Sequence, residues 1–354
     1  MADRREEFKS LLENTFISVK ETEVAVYYKM VSFLERVVSL IPEKLYRYRK
    51  LDEDGHTFKS FEDGTISLCK AKCFSDKYDS MIFVNAEREV ARSEEVFRIV
   101  IRRAIHDVKM RSPHVRPEKA SRLRSLLEQG LTEAEVVDRI IKEDYSAVLD
   151  EQRHDLKQRE FRFRESQKTA RIACFTESIQ SKFMWDTYAG GYKGFALEYN
   201  LKEFFTSSYK KLRSAYVFPV IYTDERPDMT IDESNYYTYL KAKERGWLYK
   251  LEPYKRFLDS NLLSPHRPFL YKDKEEYGHE KEWRMLYYDE KNCEDHIEIP
   301  DDGCLKAIYY GMDIKPEDKE RLHQIALKKG IKEYRVSIDE DSPKYSLKVN
   351  PIEP

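Results

Sequence analysis

The chain has 354 residues, of which 41% are hydrophobic, and its 63 Lys and Arg residues nearly balance its 65 Asp and Glu residues. This length and composition can bury a sizeable core as one elaborated domain or two. The balanced charge excludes a global attraction to nucleic acid. The sequence contains no apolar run of 18 residues, so no membrane span is predicted. The N-terminus is charged and has no apolar stretch after it, so no secretory signal is predicted. Five cysteines without a close Cys-x-x-Cys pair indicate buried thiols in a reducing cytoplasm, so a cytoplasmic protein is predicted.

The first 40 residues carry apolar side chains at helical spacing, such as Leu11 and Leu12, and predict two helices or one broken helix. They form an N-terminal helical segment, residues 1–40, that serves as scaffold or as a contact in a homo-oligomer. Pro42 ends this segment. Residues 41–354 are then interpreted as a single α+β domain.

Two strands follow, separated by a short helix. Basic residues alternate with apolar and aromatic residues over residues 44–50, which is typical of a strand that has Arg47 and Arg49 on one face. Residues 57–61 are predicted as the helix and residues 65–70 as the second strand.

A helical insertion is predicted at about residues 86–164, where charged helix formers dominate the sequence. Its last helix begins at Thr132 with Glu135 three residues later, the pattern of a capping box. Its end is basic, through Arg153 and three further arginines. Such an end is most simply a solvated helix terminus and secondarily a phosphate-binding patch. The insertion is also a candidate surface for a macromolecular partner.

The second half of the chain alternates predicted strands with turns and helices. Gly190, Gly191 and Gly194 permit close backbone approach before a strand at residues 195–199. The other predictions are strands at 170–176, 218–222, 277–288, 305–311 and, at a sheet edge, 334–338, and helices at 236–251 and 315–329. Together they predict an α+β fold with a mixed, largely antiparallel central sheet.

The stretch from Tyr277 to Tyr288 concentrates carboxylates, an arginine and aromatic residues. In a strand, side chains alternate between faces, so Glu280, Glu282 and Arg284 would share one face. A charged face needs water, partners or a cleft, which makes this stretch the candidate site. A helical alternative, in which Glu280 and Arg284 form an ordinary surface pair, stays open.

Several motifs in chain order resemble the bacterial family known as domain of unknown function 2971. They are Leu45 to Arg49, Cys174 to Glu177, Met184-Trp185 with Tyr188-Ala189, Lys193 to Tyr199, and Glu280 to Arg284. The resemblance spans about residues 44–312 and implies no activity by itself. The chain departs from the family's usual Asn-Asp-Pro-like turn at residues 75–79, where it reads Ser-Asp-Lys-Tyr-Asp, so a role for that turn is not carried over.

A second resemblance is to the ADP-ribosyltransferase superfamily. The predicted elements follow the order that is typical of that superfamily. They are a strand with Tyr and a basic residue, a short helix, Asp63-Gly64, a further strand and a late Glu-x-Glu strand. That superfamily binds NAD in a cleft that uses an Arg or His on the first strand and a Glu on the late one. Arg47 matches the first position, and Glu282, or else Glu280, matches the second.

The second resemblance implies glycosyl transfer with NAD as the substrate and with no metal. Glu282 would stabilise the oxocarbenium character that develops on the ribose, and Glu280 would take a proton from the acceptor. The expected NAD-binding residues are Arg47, Tyr48, Trp185, Tyr188 and Arg284. The acceptor is expected to be a macromolecule, protein or nucleic acid, and the family setting favours a toxin or phage-defence effector.

Structural interpretations of the same residues stay open. Arg47 could pair with a carboxylate across the sheet, Arg284 could pair with Glu282, and Trp185 could be a core anchor. The main alternative function is a non-catalytic module of a defence system that binds protein or nucleic acid through the helical insertion. A metal-dependent nuclease ranks below both, because no carboxylate and His spacing points to a metal.

Overall fold

A computed structural model describes residues 3–17, 23–111, 115–155, 170–206, 215–231, 260–261, 263, 266–288 and 293–352. Within these residues a largely antiparallel sheet with flanking helices confirms the predicted α+β fold. The helix predicted at 236–251 lies outside the described residues, as does the basic helix end beyond residue 155. In the described part of the chain, no helix combines the length and the apolar character needed to cross a lipid bilayer.

The helices confirm most of the helix predictions. In chain order they are α1 (Arg4–Asn14), α2 (Glu23–Leu40), α3 (His56–Asp63), α4 (Ala86–Lys109), α5 (Pro117–Glu128), α6 (Glu133–Ile140), α7 (Ser146–Asp155), α8 (Lys182–Tyr188), α9 (Leu201–Thr206), α10 (Lys274–Tyr277) and α11 (Pro316–Lys329). The predicted capping box of Thr132 and Glu135 is present. Helix α8 lies where the sequence predicts none. It begins there because the Ser181 hydroxyl accepts a hydrogen bond from the Met184 N–H.

The strands form one large sheet and two small pairs. In chain order they are β1 (Phe16–Ile17), β2 (Leu45–Arg49), β3 (Thr65–Lys70), β4 (Arg171–Thr176), β5 (Phe195–Tyr199), β6 (Ala215–Pro219), β7 (Ile221–Thr223), β8 (Ser260–Asn261), β9 (Tyr271–Asp273), β10 (Glu282–Tyr287), β11 (His296–Pro300), β12 (Leu305–Tyr310), β13 (Lys332–Ile338) and β14 (Leu347–Pro351). Among the described residues, the large sheet has ten strands in the order β11-β3-β4-β2-β5-β12-β13-β14, with β10 paired to β4 and β6. Only β12 and β13 pair in parallel; the other pairs of this sheet are antiparallel.

Two strand predictions are wrong in their details. The strand predicted at 218–222 is two strands that separate at Val220, because β6 pairs with β10 whereas β7 pairs with β9 in another sheet. The strand at 334–338 is not an edge strand, because β14 pairs along its outer side. The sequence of β14 alternates weakly between apolar and polar residues, so only the pairing identifies it.

The strand predicted at 277–288 is correct only for residues 282–287. The chain before it is helical: the Asp273 carboxylate caps α10 by accepting from the Glu276 N–H, and residues 278–280 add a tight turn. Lys281 then takes a left-handed conformation with φ of 49° and leads into β10. Glu280 therefore lies before the strand. The prediction that Glu280 and Glu282 lie on the same face of one strand is wrong for this reason.

Three separate hydrophobic clusters fill the described part of the molecule, and the smallest of them holds Tyr48 and Trp185. Phe8 of α1 and Phe33 of α2 belong to the same buried cluster as sheet residues such as Leu197 and Met285. The N-terminal helices therefore pack directly on the sheet. Helices α4 to α7 bury a cluster of their own, which includes Ile140. The predicted domain boundaries stay predictions.

Candidate functional site

A cavity lies where the central sheet forks. β2 meets β4 at a single pair, Tyr46 with Thr176, whereas β3 meets β4 near the other end, at Ile172 and Arg171. Between these points β4 pairs with β10 on its opposite edge. The strands β2 and β3 diverge there and leave a cavity of about 430 Å³, within the range of roughly 300–1,000 Å³ for small-molecule sites.

The fork brings together most of the residues that the sequence nominates. Arg47, Tyr48, Tyr188, Glu280, Glu282 and Arg284 all line the cavity. Trp185 does not line it, because its ring is fully buried behind Tyr48 with the ring centroids 5.0 Å apart. The Trp185 Nε1 donates to the Ile179 carbonyl at 2.8 Å. Trp185 is thus a core anchor that supports Tyr48.

One end of the cavity holds two carboxylates joined by a lysine. The Lys272 Nζ lies 2.7 Å from the Glu280 Oε2 and 3.2 Å from the Glu282 Oε2. The Tyr188 hydroxyl donates to the Glu280 Oε1 at 2.5 Å. Burial works against the Lys272 ammonium, but the charges of Glu282 and Glu280 outweigh it and raise the pKa of Lys272 well above its usual range.

The left-handed Lys281 explains how two residues of different elements reach the same lysine. In a regular strand, Glu280 and Glu282 would lie on one face in an extended row. The turn at 278–280 and the φ of 49° at Lys281 fold the chain so that both carboxylates contact Lys272. A left-handed non-glycine residue is costly, and such conformations cluster at functional sites.

Glu282 is held in its ionised form by two cations. The Arg284 Nε donates to the Glu282 Oε1 at 2.8 Å, and the Arg284 Nη2 lies 2.5 Å from the Asp79 Oδ2. Burial alone would raise the pKa of Glu282, but the charges of Arg284 and Lys272 outweigh it and lower the pKa to about 2. The buried pairs of Arg284 with Glu282 and Asp79 confirm its structural interpretation.

The backbone of Glu282 is fixed from both sides. Its N–H donates to the Tyr222 hydroxyl at 2.7 Å, and its carbonyl accepts from the Arg5 Nη1 at 2.8 Å. Arg5 also donates to the Glu177 Oε1 at 2.6 Å. The N-terminal helix α1 therefore helps to hold the start of β10 in place.

Two arginines of β2 also line the cavity, and we call the part of the wall that they form the arginine end. Arg47 and Arg49 are half-buried, and each lies near the Ser67 hydroxyl, at 3.4 and 3.5 Å. Among the described residues, no carboxylate forms an ion pair with either guanidinium, so the interpretation of Arg47 as an ion-pair partner across the sheet is wrong for this part of the chain. Burial and the neighbouring charge of Arg47 lower the pKa of Arg49 to about 10.

The sequence does not identify three residues of the cavity as site residues. Lys272 stands in no recognisable motif, and Arg49 appears in the sequence only as a second basic residue of its strand. Asp79 ends the turn at residues 75–79 that departs from the family pattern, yet its carboxylate pairs with Arg284. Only the fold shows that this turn contributes to the site.

A second cavity of about 710 Å³ lies beside the first, and the two share Asp76, Lys272 and Tyr277 in their walls. The Lys272 Nζ lies 3.9 Å from the centroid of the Tyr277 ring. Within the described ranges, no group of three His, Cys, Asp or Glu side chains is arranged to hold a metal ion.

Comparison with known proteins agrees with the first resemblance. Residues 184–285 match the model of a family described as Protein of unknown function (DUF2971). No curated protein and no solved structure matches the chain. The matched residues include Tyr188, Lys272, Glu280 and Glu282, whereas Arg47 and Asp79 lie outside them. Over the segment that carries the carboxylate end of the cavity, the chain is thus similar to the DUF2971 family.

Proposed function

We propose that the chain is an ADP-ribosyltransferase-type enzyme that binds NAD in the forked cavity. The observation that carries this proposal is the lining of the cavity: Arg47 and Arg49, which have no carboxylate partner among the described residues, line the same cavity as Glu280 and Glu282. Free guanidinium groups favour phosphate, which they bind through charge-assisted hydrogen bonds. A dinucleotide has a diphosphate on one side of the ribose whose bond would be cleaved.

The carboxylate end suits a developing positive charge. Three carboxylates, of Asp79, Glu280 and Glu282, lie beside two cations, Lys272 and Arg284, which leaves a net negative charge. The nicotinamide–C1′ bond of NAD would break with its electron pair leaving on nicotinamide. The cationic ribose would be stabilised by this field.

Glu280 is the proton acceptor in this proposal. An N–H or O–H group of the acceptor forms the new bond to C1′, and its proton passes to the Glu280 carboxylate. Glu282, with its pKa lowered to about 2, stays ionised and acts by its charge. Tyr188 lies against Glu280 and would orient it. The acceptor is a macromolecule, and the setting that we propose is a toxin or phage-defence effector in the cytoplasm.

NAD binding by the arginine end is tested with Arg47→Ala in the full chain. We expect Arg47→Ala to weaken NAD binding, measured by isothermal titration calorimetry, by about tenfold or more, since hydrogen bonds to charged groups contribute ~1.5–3 kcal/mol. The matched control is Arg139→Ala, which removes an exposed arginine of α6 that pairs only with a surface carboxylate among the described residues. This control should bind NAD as the wild type does.

Turnover is tested by following nicotinamide release from NAD in the presence of cell lysate as the source of acceptor. Wild type should release nicotinamide, and Glu280→Gln should lower the rate by about 100-fold or more with unchanged NAD affinity. A wild-type protein that neither binds NAD nor releases nicotinamide would refute the proposal.

A binding module is the second candidate function, favoured by the separate hydrophobic cluster of the helices α4 to α7. In that case the helical insertion would bind a protein or nucleic acid of a defence system. Deletion of residues 86–164 would then abolish partner capture, whereas Glu280→Gln would leave it unchanged. The opposite pattern would favour the enzyme.

A further inference from the structure

Aromatic side chains surround the solvent-facing side of the carboxylate end. Tyr188 lines the cavity and is also 39% exposed, so it lies at the boundary between cavity and solvent. The Phe183 ring lies 6.2 Å from the Tyr188 ring and 4.0 Å from the His279 ring, centroid to centroid, in edge-to-face arrangements. We name Phe183, Tyr188 and His279 the aromatic rim.

The aromatic rim is built by two elements of the site. Phe183 and Tyr188 come from α8, and His279 comes from the turn that carries Glu280. Phe183 is 41% exposed, although a buried ring would gain free energy by leaving water. The rim is thus a stacking surface, and the Tyr188 hydroxyl connects it to the Glu280 carboxylate.

Two lysines lie within two residues of these rings in the chain. Lys182 precedes Phe183, and Lys281 follows Glu280; both are exposed. Neither ammonium forms an ion pair with a carboxylate of the described residues. The Lys182 Nζ lies 5.2 Å from the centroid of the Tyr345 ring, which is 93% exposed. The rim therefore combines open rings with ammonium groups that are free to bind an anion.

This combination distinguishes between two kinds of macromolecule. The cores of protein–protein interfaces are depleted in lysine, whereas surfaces for single-stranded nucleic acid combine cationic groups with rings on which bases stack. A duplex hides its base faces inside the helix, so it cannot use such rings. We propose that the aromatic rim binds a single-stranded nucleic acid, with bases stacked on Phe183 and Tyr188 and phosphates near Lys182 and Lys281.

The position of the rim gives this strand a role in the proposed reaction. A nucleotide stacked on Tyr188 lies beside Glu280, so it can supply the N–H or O–H group that attacks C1′. This assignment of the acceptor rests on the proposed function; the binding itself does not. Asp186, one turn along α8 from Lys182, carries the opposite charge, so stacking is expected to supply most of the affinity.

Binding is measured by fluorescence anisotropy with the full chain, without NAD, and with a labelled oligonucleotide of about 12 nucleotides. Single-stranded RNA and DNA of one mixed sequence are compared with the duplex of that sequence and with a labelled basic peptide. We expect the wild type to bind one single strand at least tenfold more tightly than the duplex. Phe183→Ala should weaken this binding by about tenfold, and Lys182→Glu with Lys281→Glu should reduce its salt dependence.

The control is Tyr27→Ala, which removes a ring that is 62% exposed on α2, and it should bind as the wild type does. Melting temperatures of the variants should match, since the exchanged side chains are exposed. Equal affinity for single strand and duplex, unchanged binding by Phe183→Ala, or binding of the peptide alone would overturn the inference. Absence of NAD turnover with intact strand binding would overturn the proposed function and leave this inference standing.

Discussion

At the scale of single residues, Lys272 holds the carboxylate end of the cavity together. Its side chain is 7% exposed, and its ammonium contacts both Glu280 and Glu282. Two carboxylates that share a buried position repel each other unless a cation lies between them. Lys272 is therefore as much a part of the site as the glutamates that it joins.

Lys272→Met is expected to lower the free energy of unfolding at pH 7 by about 3–5 kcal/mol, because it removes the buried cation that Glu280 and Glu282 share. Urea denaturation measures the change. Lys306→Met is the matched control, since Lys306 pairs with Glu203 at the surface, with side chains 37% and 48% exposed, and such pairs contribute about 0–1 kcal/mol. Similar losses for the two variants would contradict this role of Lys272.

The effect of Lys272→Met should also depend on pH in a defined direction. The pKa of Glu282 is lowered from 4.5 to about 2, so the stability that its charge contributes is present above pH ~4.5 and is lost as the pH falls toward 2. The wild type therefore loses this contribution in acid, whereas Lys272→Met has already lost the part that the Lys272 charge supplies and keeps the part from Arg284. The difference between the two proteins should shrink between pH 4.5 and pH 2.

At the scale of elements, Gly194 sets how closely β5 approaches β2. A Cβ at Gly194 would overlap the backbone carbonyl oxygens of Arg49 and Ala189, and backbone cannot move aside as a flexible side chain can. This bears out the expectation that Gly194 permits close backbone approach. The contact matters for the site because Arg49 lines the cavity.

Gly194→Ala should lower the free energy of unfolding by at least ~2 kcal/mol, since overpacking against fixed backbone costs about 1–3 kcal/mol or more. Gly278→Ala is the control: a Cβ there meets only the Lys274 Cγ at 3.8 Å, and Gly278 has a φ of −57°. That control should be neutral or slightly stabilising. Chemical denaturation measures the free energy of unfolding of both variants. A Gly194→Ala protein as stable as Gly278→Ala would show that β5 can shift.

At the scale of the whole molecule, the two largest hydrophobic clusters of the described residues share no buried residue. One lies under the central sheet and includes Ile308, and the other lies within α4 to α7 and includes Ile140. Clusters separated in this way can open independently. The helical insertion is then expected to respond to its own core mutations alone.

Ile140→Ala is expected to destabilise the helical cluster by about 2–5 kcal/mol and to speed amide hydrogen exchange in residues 86–155. Exchange in β5 and β12 should stay as slow as in the wild type. Ile308→Ala, in the sheet, should give the converse pattern. Faster exchange in both regions from either variant would show that the two clusters unfold as one.

The α+β class, the paired N-terminal helices and most strands of the sheet follow from the sequence because their signals are local. The capping box at Thr132 depends on residues only three apart, and the alternation in β2 and β3 is visible within six residues. β14 and the split at Val220 could not be predicted in this way, because they depend on which strand lies alongside.

The candidate site also combines features that follow from the local sequence with features that depend on the fold. The short spacing of Glu280, Glu282 and Arg284 in the sequence places them close together, and the family resemblance added Arg47 and Tyr188. That these residues share one cavity follows only from the fold, because the divergence of β2 and β3 from β4 is a property of three strands at once.

The role of each charged side chain likewise depends on the fold. Arg284 is neutralised by Asp79 from 205 residues away in the chain, whereas Arg47 and Arg49 face the cavity without a carboxylate partner among the described residues. Each of these pairings matters for stability, since a charge that is removed from water costs free energy unless it has a partner or a ligand. The charged residues can be read from the sequence, but the fold determines which of them pair with each other and which can bind a ligand.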